Sequence, residues 1–580
     1  MNYQDILNSH PHICAVEYLP DYKERGYDPQ TRKSFRLHAK YNGHDWHLLI
    51  SIAEKFPFYL PSINIENVEN YPAMGHVEWN GHICYKDSQG LAVSFREPET
   101  VLRACIYEAL RTLHENYSDP EKKELQRDFK SYWESFPSDE CKTTCIVNPN
   151  AIPKELIAYR DLKNKRKTKI PSCLAIVESN SEANESYHLL SSLKDNRKEK
   201  SIYIPLKKAV IPPPPKDSWN ATDILNLIKT HSSQTTQETA FEIAGKQRWS
   251  KFFTLILSHP KPEEGHNIWG IAFHRKDTGK HPLITPQDDW KISPLHLKHH
   301  NKEYLLQRSG ASTNLDNKKI AIIGCGSVGG GIAFQLAKAG VGELHLFDFD
   351  KLEPENIYRH VLGGLYIDNI NGGYPKVLAL KWNIEMNIPY TKVEAYTSSL
   401  LELSNVDMFS KYDTVIVATG DFTSELFFNS IYKKSGSQTP IIYTWQDGFG
   451  IGGHAISVVN PNSGCLECLY TRPRGFEPHM KTSFIKQGQT ISKHIGGCAG
   501  VFTPYSFLDA SETSLLATRM TLEALHGKSR NEIRSWLGSD AQLKNEGYNS
   551  SEWYENNSTK FIQDSKKYIA SNCAVCGKND

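Results

Sequence analysis

The sequence predicts an α/β protein in three parts. These are an N-terminal α+β domain over residues 1–140, a small α/β connecting domain over 141–300 and a C-terminal nucleotide-binding domain over 301–580. Three observations predict it. A strand, glycine turn, helix and second strand follow one another from Lys319 to Asp350. The first 140 residues pass from alternating, hairpin-like segments to one amphipathic helix. Two CxxC pairs close the chain.

In chain order, Phe35 to Ala39 and Trp46 to Ile52 alternate apolar and polar residues, as antiparallel strands do. Asn42-Gly43 between them is a two-residue hairpin turn. The proline-punctuated Phe56 to Pro61 and a third strand, Ser62 to Ile65, follow. Val101, Leu102, Cys105, Ile106, Ala109, Leu110 and Leu113 then fall at helical spacing. Cys84 is thus expected on a loop between sheet and helix, with His76, Asn80 and His82 near enough in sequence to influence a thiolate. Cys14 and Cys105 read as small buried hydrophobes.

The middle third carries no motif. Thr254 to Leu257 and Ile268 to Phe273 read as strands and Thr222 to Ile228 as a helix. The run Lys163, Lys165, Arg166, Lys167 and Lys169 reads as a solvated face. Pro212 to Pro215 reads as a stiff spacer, and His299 and His300 as surface residues.

In the last third, Ile320 to Ile323 is a buried parallel strand and Gly324, Gly326 and Gly329 form its turn. Glycines let backbone approach a phosphate, and the following helix offers free N–H groups and a positive dipole end. Asp350, at the end of the second strand, is placed for a ribose hydroxyl. Arg359 and Lys376 are cations at the mouth of such a site, and Asp421 ends a strand at Thr414 to Thr419. Two cations and a carboxylate for Mg²⁺ suit attack on an ATP α-phosphate better than hydride transfer. Cys465, Cys468, Cys573 and Cys576 have the spacing of two half-sites for a structural Zn²⁺, which would clip the tail onto the domain. Cys498 lies among glycines ahead of a helix read as Ser514 to Leu525, as a mobile acyl-accepting nucleophile would.

Bulk composition narrows the function classes. Length leaves room for about three or four domains. A formal net charge of +1 gives no reason to expect nucleic acid or an anionic membrane as the main partner. The 12 cysteines are spread along the chain, unlike a secreted disulfide framework. No leader-like segment opens the sequence, and no apolar run reaches the roughly 18 residues of a membrane span. A cytoplasmic protein is expected.

Phe56 to Pro61 and Asn80-Gly81-His82-Ile83-Cys84 resemble, in that order, the loop of ubiquitin-conjugating enzymes whose cysteine carries a thioester. His76 stands where their His-Pro-Asn element begins, at a shorter spacing, with Val77 and Glu78 in place of Pro and Asn. Asn80 or His82 is then left to supply the oxyanion donor. Residues 301–580 resemble the ubiquitin-activating superfamily through the glycine turn, Asp348 and Asp350, Asn356, Arg359, Lys376, Asp421, both CxxC pairs and the Cys498 loop. That resemblance implies a Rossmann-like adenylation domain that forms homodimers, with Arg308 a candidate to enter the partner's ATP site. The domain order resembles the CD-NTase-associated fusion proteins of bacterial CBASS antiviral systems. It implies ATP-dependent joining of a protein C-terminus, that of a cGAS-like nucleotidyltransferase or a ubiquitin-like protein, through Cys498 and Cys84 to an amine. A sulfur-carrier adenylating enzyme, an NAD-dependent oxidoreductase and a binding-only adaptor stay open as alternatives.

Overall fold

The computed structural model describes residues 2–20, 32–87, 90–136, 142–160, 173–178, 197–263, 265–287, 289–367, 373–403, 406–459, 464–471, 479–489, 491–494, 501–557, 562–564 and 568–577. The chain divides into two compact units between Asn301 and Lys302.

The first unit opens with an antiparallel meander, β1 (Ile13–Leu19), β2 (Arg32–Tyr41), β3 (His44–Ala53) and β4 (Ser62–Ile65), paired in sequence order. Asn42 and Gly43 both have positive φ, 46° and 82°, and close the β2–β3 hairpin at Tyr41 opposite His44. That is the turn whose twist matches the strands it joins. The alternation in β2 and β3 sends Phe35, Leu37, Leu48 and Ile50 inward, where they meet Leu102, Ile106, Ala109, Leu110 and Leu113 of the helix Pro98–Tyr117. Cys84 lies on the irregular connection between β4 and that helix.

The rest of this unit is a closed barrel of seven strands. They are β5 (Lys142–Cys145), β6 (Lys154–Arg160), β7 (Cys173–Glu178), β8 (Arg197–Pro205), β9 (Ser250–Pro260), β10 (His266–Gly279) and β11 (Lys291–His299), ordered β10-β11-β5-β7-β6-β8-β9. Cys145, Leu156, Ile176, Tyr203, Ile256 and Leu295 belong to one apolar core. The helices Ala221–His231 and Gln234–Gly245 share a second core with Phe129 and Trp133 of the helix Phe129–Glu134, which follows the meander domain. Trp133 Nε1 donates to Gly270 O at 3.0 Å, and Glu134 Oε1 accepts from Leu297 N at 2.9 Å. Three expectations are corrected here. Cys14 is exposed and not a buried thiol. Pro212 and Pro213 are buried, and Tyr132 OH donates to Pro213 O at 2.9 Å, so the proline run packs instead of spanning open space. His299 and His300 are half-buried, and burial pushes His299 down to about 3. The basic run from Lys163 to Lys169 lies outside the described residues.

The second unit is an eight-stranded sheet. β12 (Lys319–Ile323), β13 (Glu343–Phe347), β14 (Lys392–Tyr396), β15 (Thr414–Val417) and β16 (Ile441–Gln446) are parallel, in the order β14-β13-β12-β15-β16. β17 (Gly452–Val458) and the strands Glu532–Leu537 and Ile562–Asp564 extend it antiparallel. β12 is apolar throughout because both of its faces are covered. Ile320 and Ile322 bury with Ile332, Leu336 and Leu516 on one side, Ala321 and Ile323 with Phe409 and Phe428 on the other. β12 pairs with β13 on one edge and β15 on the other, so connections leave its end in opposite directions. Open α/β sheets bind ligands at such a switch point. Among the described residues no helix is long and apolar enough to cross a membrane.

Candidate active sites

The glycine turn sits at that switch point. Gly324 has φ +86°, and a Cβ there would lie 2.6 Å from Ala418 O. A Cβ on Gly329 would lie 1.9 Å from Gly324 O. Those two glycines are needed for the turn and its packing. A Cβ on Gly326 would meet nothing within 4 Å, so its missing side chain leaves backbone open to a ligand. Gly326 is also the N-cap of the helix Ser327–Lys338, which has no side-chain cap. Its first-turn N–H groups remain available to an anion.

Two buried side chains hold the turn. Asp348 Oδ2 accepts from Cys325 N at 2.6 Å and Oδ1 from Asp350 N at 2.8 Å. Asp348 therefore grips the turn's backbone from within. His360 Nδ1 accepts from Leu362 N at 3.1 Å, so Nε2 carries the proton and donates to Cys325 O at 2.8 Å. Burial pushes His360 down to about 4 and keeps that ring neutral. Its role was not read from the sequence. Only its adjacency to Arg359 pointed towards it.

Asp350 is half-exposed, and its Oδ2 takes a 2.8 Å ion pair from Lys376, a buried residue that begins the helix Lys376–Asn387. Lys376 N also donates to Asp350 O at 2.9 Å. Arg359 and Asn356 line a cavity of about 1160 Å³ with Tyr358, Phe449, Tyr505 and Asp509. The Arg359 guanidinium lies 5.3 Å from the Tyr505 ring centre, and Asn356 Oδ1 accepts from Glu353 N at 3.0 Å. His360, next in sequence to Arg359, ties this cavity wall to the glycine turn. Arg308 is exposed in the last turn of the helix Lys302–Ser309.

Asp421 follows β15 and caps the helix Phe422–Lys434. Its Oδ1 accepts from Thr423 N at 3.2 Å and Ser424 N at 3.4 Å, its Oδ2 from Ser424 Oγ at 2.5 Å. It is exposed, and a capping carboxylate keeps lone pairs for a hard cation, so the residue fits Mg²⁺. Beneath it lies Glu425, fully buried, whose Oε1 accepts from Thr419 N, Thr419 Oγ1 and Gly420 N. Burial pushes its carboxyl up to about 7, against those three hydrogen bonds. Glu425 also escaped the sequence reading, because an i+4 carboxylate after a capping Asp looks like ordinary helix surface.

Cys465, Cys468, Cys573 and Cys576 converge, with all four Sγ atoms within 4.8 Å of one another. Cys465 and Cys573 are 3.8 Å apart and Cys468 and Cys576 3.3 Å. A tetrahedral zinc with bonds of about 2.3 Å sets its sulfurs about 3.8 Å apart, so this donor set fits Zn²⁺. Hydrogen bonds with Cys468 and Cys576, then burial, raise the Cys465 thiol, while hydrogen bonds from Cys465 and Cys576 lower Cys468. The thiols thus share protons that a cation would displace. Cys498 lies outside the described residues. The helix after it starts at Phe507, earlier than expected, behind a capping box formed by Ser506 and Asp509.

Cys84 is exposed on the wall of a cavity of about 930 Å³, shared with His76, Asp87, Arg111, Asn116 and Glu124. Partial burial, then the charges of Glu78, Asp128 and Asp87, push its thiol up to about 11. His76, at φ +58°, presents its carbonyl to Cys84 N at 2.8 Å, while its ring pairs with Asp128 at 2.9 Å and is raised chiefly by that bond. Neither expected oxyanion donor lines that cavity. Asn80 Oδ1 accepts from His82 N at 2.9 Å, and His82 Nδ1 lies by Ser62 Oγ and Asn64 Oδ1. Asn116 is the amide side chain that does line the cavity.

Residues 301–539 match the family model of the ThiF family, and residues 20–141 that of the Prokaryotic E2 family B. The chain is 23% identical over 509 residues to the ATP-dependent ubiquitin transferase-like protein Cap2 of Pseudomonas aeruginosa, covering 84% of this chain and 86% of the relative. The protein of the same name in Escherichia coli is 24% identical over 498 residues, 78% of this chain and 80% of the relative. The adenylyltransferase and sulfurtransferase MOCS3 of Arabidopsis thaliana is 26% identical over 233 residues, 37% of this chain and 48% of that protein.

Proposed function

The chain is a fusion of a ubiquitin-conjugating-like domain of the Prokaryotic E2 family B with an activating-like domain of the ThiF family, and we propose that it links a protein C-terminus to an amine through two thioesters. It is an ATP-dependent adenylating and conjugating enzyme. In the proposed division, residues 1–140 carry the second thiol, 141–300 support it and 301–580 activate the substrate. The observation that carries the reading is one chain holding both an uncapped glycine-turn helix beside the Arg359 cavity and an exposed cysteine in its own cleft.

ATP is bound with its phosphates on Gly324 to Gly329 and its ribose at Asp350, whose carboxylate Lys376 holds in place. The substrate's terminal carboxylate lies in the cavity beside Arg359 and attacks the α-phosphorus, and pyrophosphate leaves. Arg359 and Lys376 offset the charge that develops. Asp421 would hold Mg²⁺, which neutralises phosphate charge. Cys498 then displaces AMP to form a thioester, Cys84 displaces Cys498, and the amine displaces Cys84 to leave an amide. Cys465, Cys468, Cys573 and Cys576 would hold Zn²⁺ as a structural cross-link. The conjugated protein in this reading is a cGAS-like nucleotidyltransferase and the setting antiviral defence. A ubiquitin-like protein is the second candidate, because the relatives are named ubiquitin transferase-like. We also propose a homodimer through the adenylation domain. Leu378, Trp382 and Met386 form an exposed apolar stripe at helical spacing on Lys376–Asn387.

The test is pyrophosphate exchange into ATP with a candidate carrier, followed by thiol-sensitive adducts on the protein. Exchange dependent on the carrier's free C-terminus, with one adduct lost in Cys498→Ala and a later one lost in Cys84→Ala, is expected. Exchange without any thiol-linked adduct would leave an adenylating enzyme only.

A further inference from the structure

The helix Phe422–Lys434 carries two buried polar side chains one turn apart, Glu425 and Asn429, on its inner face. They hold two different neighbouring segments. Glu425 Oε1 collects the N–H of Thr419, the hydroxyl of Thr419 and the N–H of Gly420, at 3.1, 2.7 and 3.2 Å. Gly420 is at φ +70°, so this carboxylate fixes the left-handed turn that presents Asp421 at the end of β15. Asn429 Oδ1 accepts from Leu466 N at 3.3 Å, inside the first CxxC pair, and from Tyr443 OH at 3.5 Å.

Both residues are poor choices for stability alone. Glu425 Oε2 is buried without a hydrogen-bond partner among the described residues, and the amide N–H of Asn429 has only the weakly accepting Cys465 sulfur. Unpaired buried polar atoms are costly, and two leucines would fill a helix face without that cost. What the polar pair provides is a rigid tie, since the helix between them cannot shorten or bend without losing its own hydrogen bonds.

We propose that Glu425 and Asn429 are positioning residues, and that their helix braces the four-cysteine clip against the turn at the nucleotide crevice. The clip then acts on the adenylation site as well as on the tail. This rests on the adenylation reading for the meaning of the crevice, but the brace can be tested without it.

The test is amide hydrogen exchange on the full-length chain, before and after metal removal by a chelator. Exchange should accelerate about tenfold or more both at Leu466 and at Thr419–Gly420 once the metal is removed. In Asn429→Ala the second response should fall away, with the amide of Cys468, which donates to Cys465 O, still responding. Acceleration at Leu466 with Thr419–Gly420 unchanged in the wild type would overturn the brace. Thr419→Val, at a half-buried position that tolerates change, removes one of Glu425's donors. It should loosen the same turn and weaken MgATP binding by calorimetry several-fold, with the metal content of the chain retained. Unchanged exchange at Gly420 in this variant would equally overturn the role of Glu425. A wild type that binds no MgATP but shows the coupled exchange would refute the adenylation reading and keep the brace.

Discussion

At the scale of single residues, Cys84 and His360 demand different things of their surroundings. A thiol pushed up to about 11 holds almost no thiolate near neutral pH, so Cys84 reacts slowly with electrophiles unless a base takes its proton. Its alkylation by iodoacetamide should therefore rise about tenfold per pH unit up to about 11. Glu78→Gln removes one of the charges that raise it and should move that profile to lower pH by a few tenths of a unit. An unmoved profile would mean that burial alone sets the thiol. His360 makes the opposite kind of demand, a neutral ring donating to Cys325 O. His360→Ala leaves that carbonyl unpaired and should weaken ATP binding about tenfold with little change in the rate of Cys84 loading once ATP saturates. Equal loss of binding and rate would place His360 in the chemistry instead.

Elements explain why these residues hold their places. The central strands β12 and β15 are apolar on both faces, and the carboxylates Asp348, Asp350 and Asp421 stand beyond the ends of β13 and β15. The cysteine clip is an element of another kind, linking Cys465 and Cys468 to the far end of the chain. Metal analysis should find one zinc per chain. Cys573→Ser should lose it and lower the melting temperature by several degrees, because binding energy at a structural zinc is folding energy. Full zinc content in that variant would show that the four sulfurs are not one site. The stripe of Leu378, Trp382 and Met386 gives a third element-level outcome. Trp382→Asp should shift the protein from dimer to monomer by light scattering, and no shift would remove this face from the interface.

The whole molecule carries an asymmetric response to acid. Burial pushes His259, His281 and His299 of the first unit down to about 3, and His360 of the second to about 4. Each is charged below about 6.5 when unfolded but stays neutral when folded, so the unfolded chain binds more protons in that window. Their contribution to stability is complete above about pH 6.5 and is lost as the pH falls towards 3 or 4. His76 works in the other sense, since its raised value stabilises at low pH and fades as the pH rises through it. Burial also lowers His10 and His300 of the first unit and His345 of the second, so five such histidines stand against two and the first unit should lose stability more steeply between about pH 6.5 and 5. Hydrogen exchange of peptides from β9 to β11 against those from β12 and β13 measures this directly, and parallel losses would refute it.

The sequence by itself determined the features that depend on neighbours along the chain. The Asn42-Gly43 hairpin, the amphipathic helix behind Cys84, the glycine turn and the two CxxC half-sites all follow from local backbone needs or fixed spacing. The tertiary structure alone decided which distant groups meet. It closed the barrel by pairing β11 with β5 and β8 with β9. It gave Asp348 to the turn's backbone, put His360 on Cys325 and set Glu425 under Gly420. It also left Asn80 and His82 out of the wall of the Cys84 cavity. The physical reason is that periodicity and glycine freedom are properties of a short segment. A buried donor or acceptor must instead find its partner wherever the packing of the whole domain supplies one.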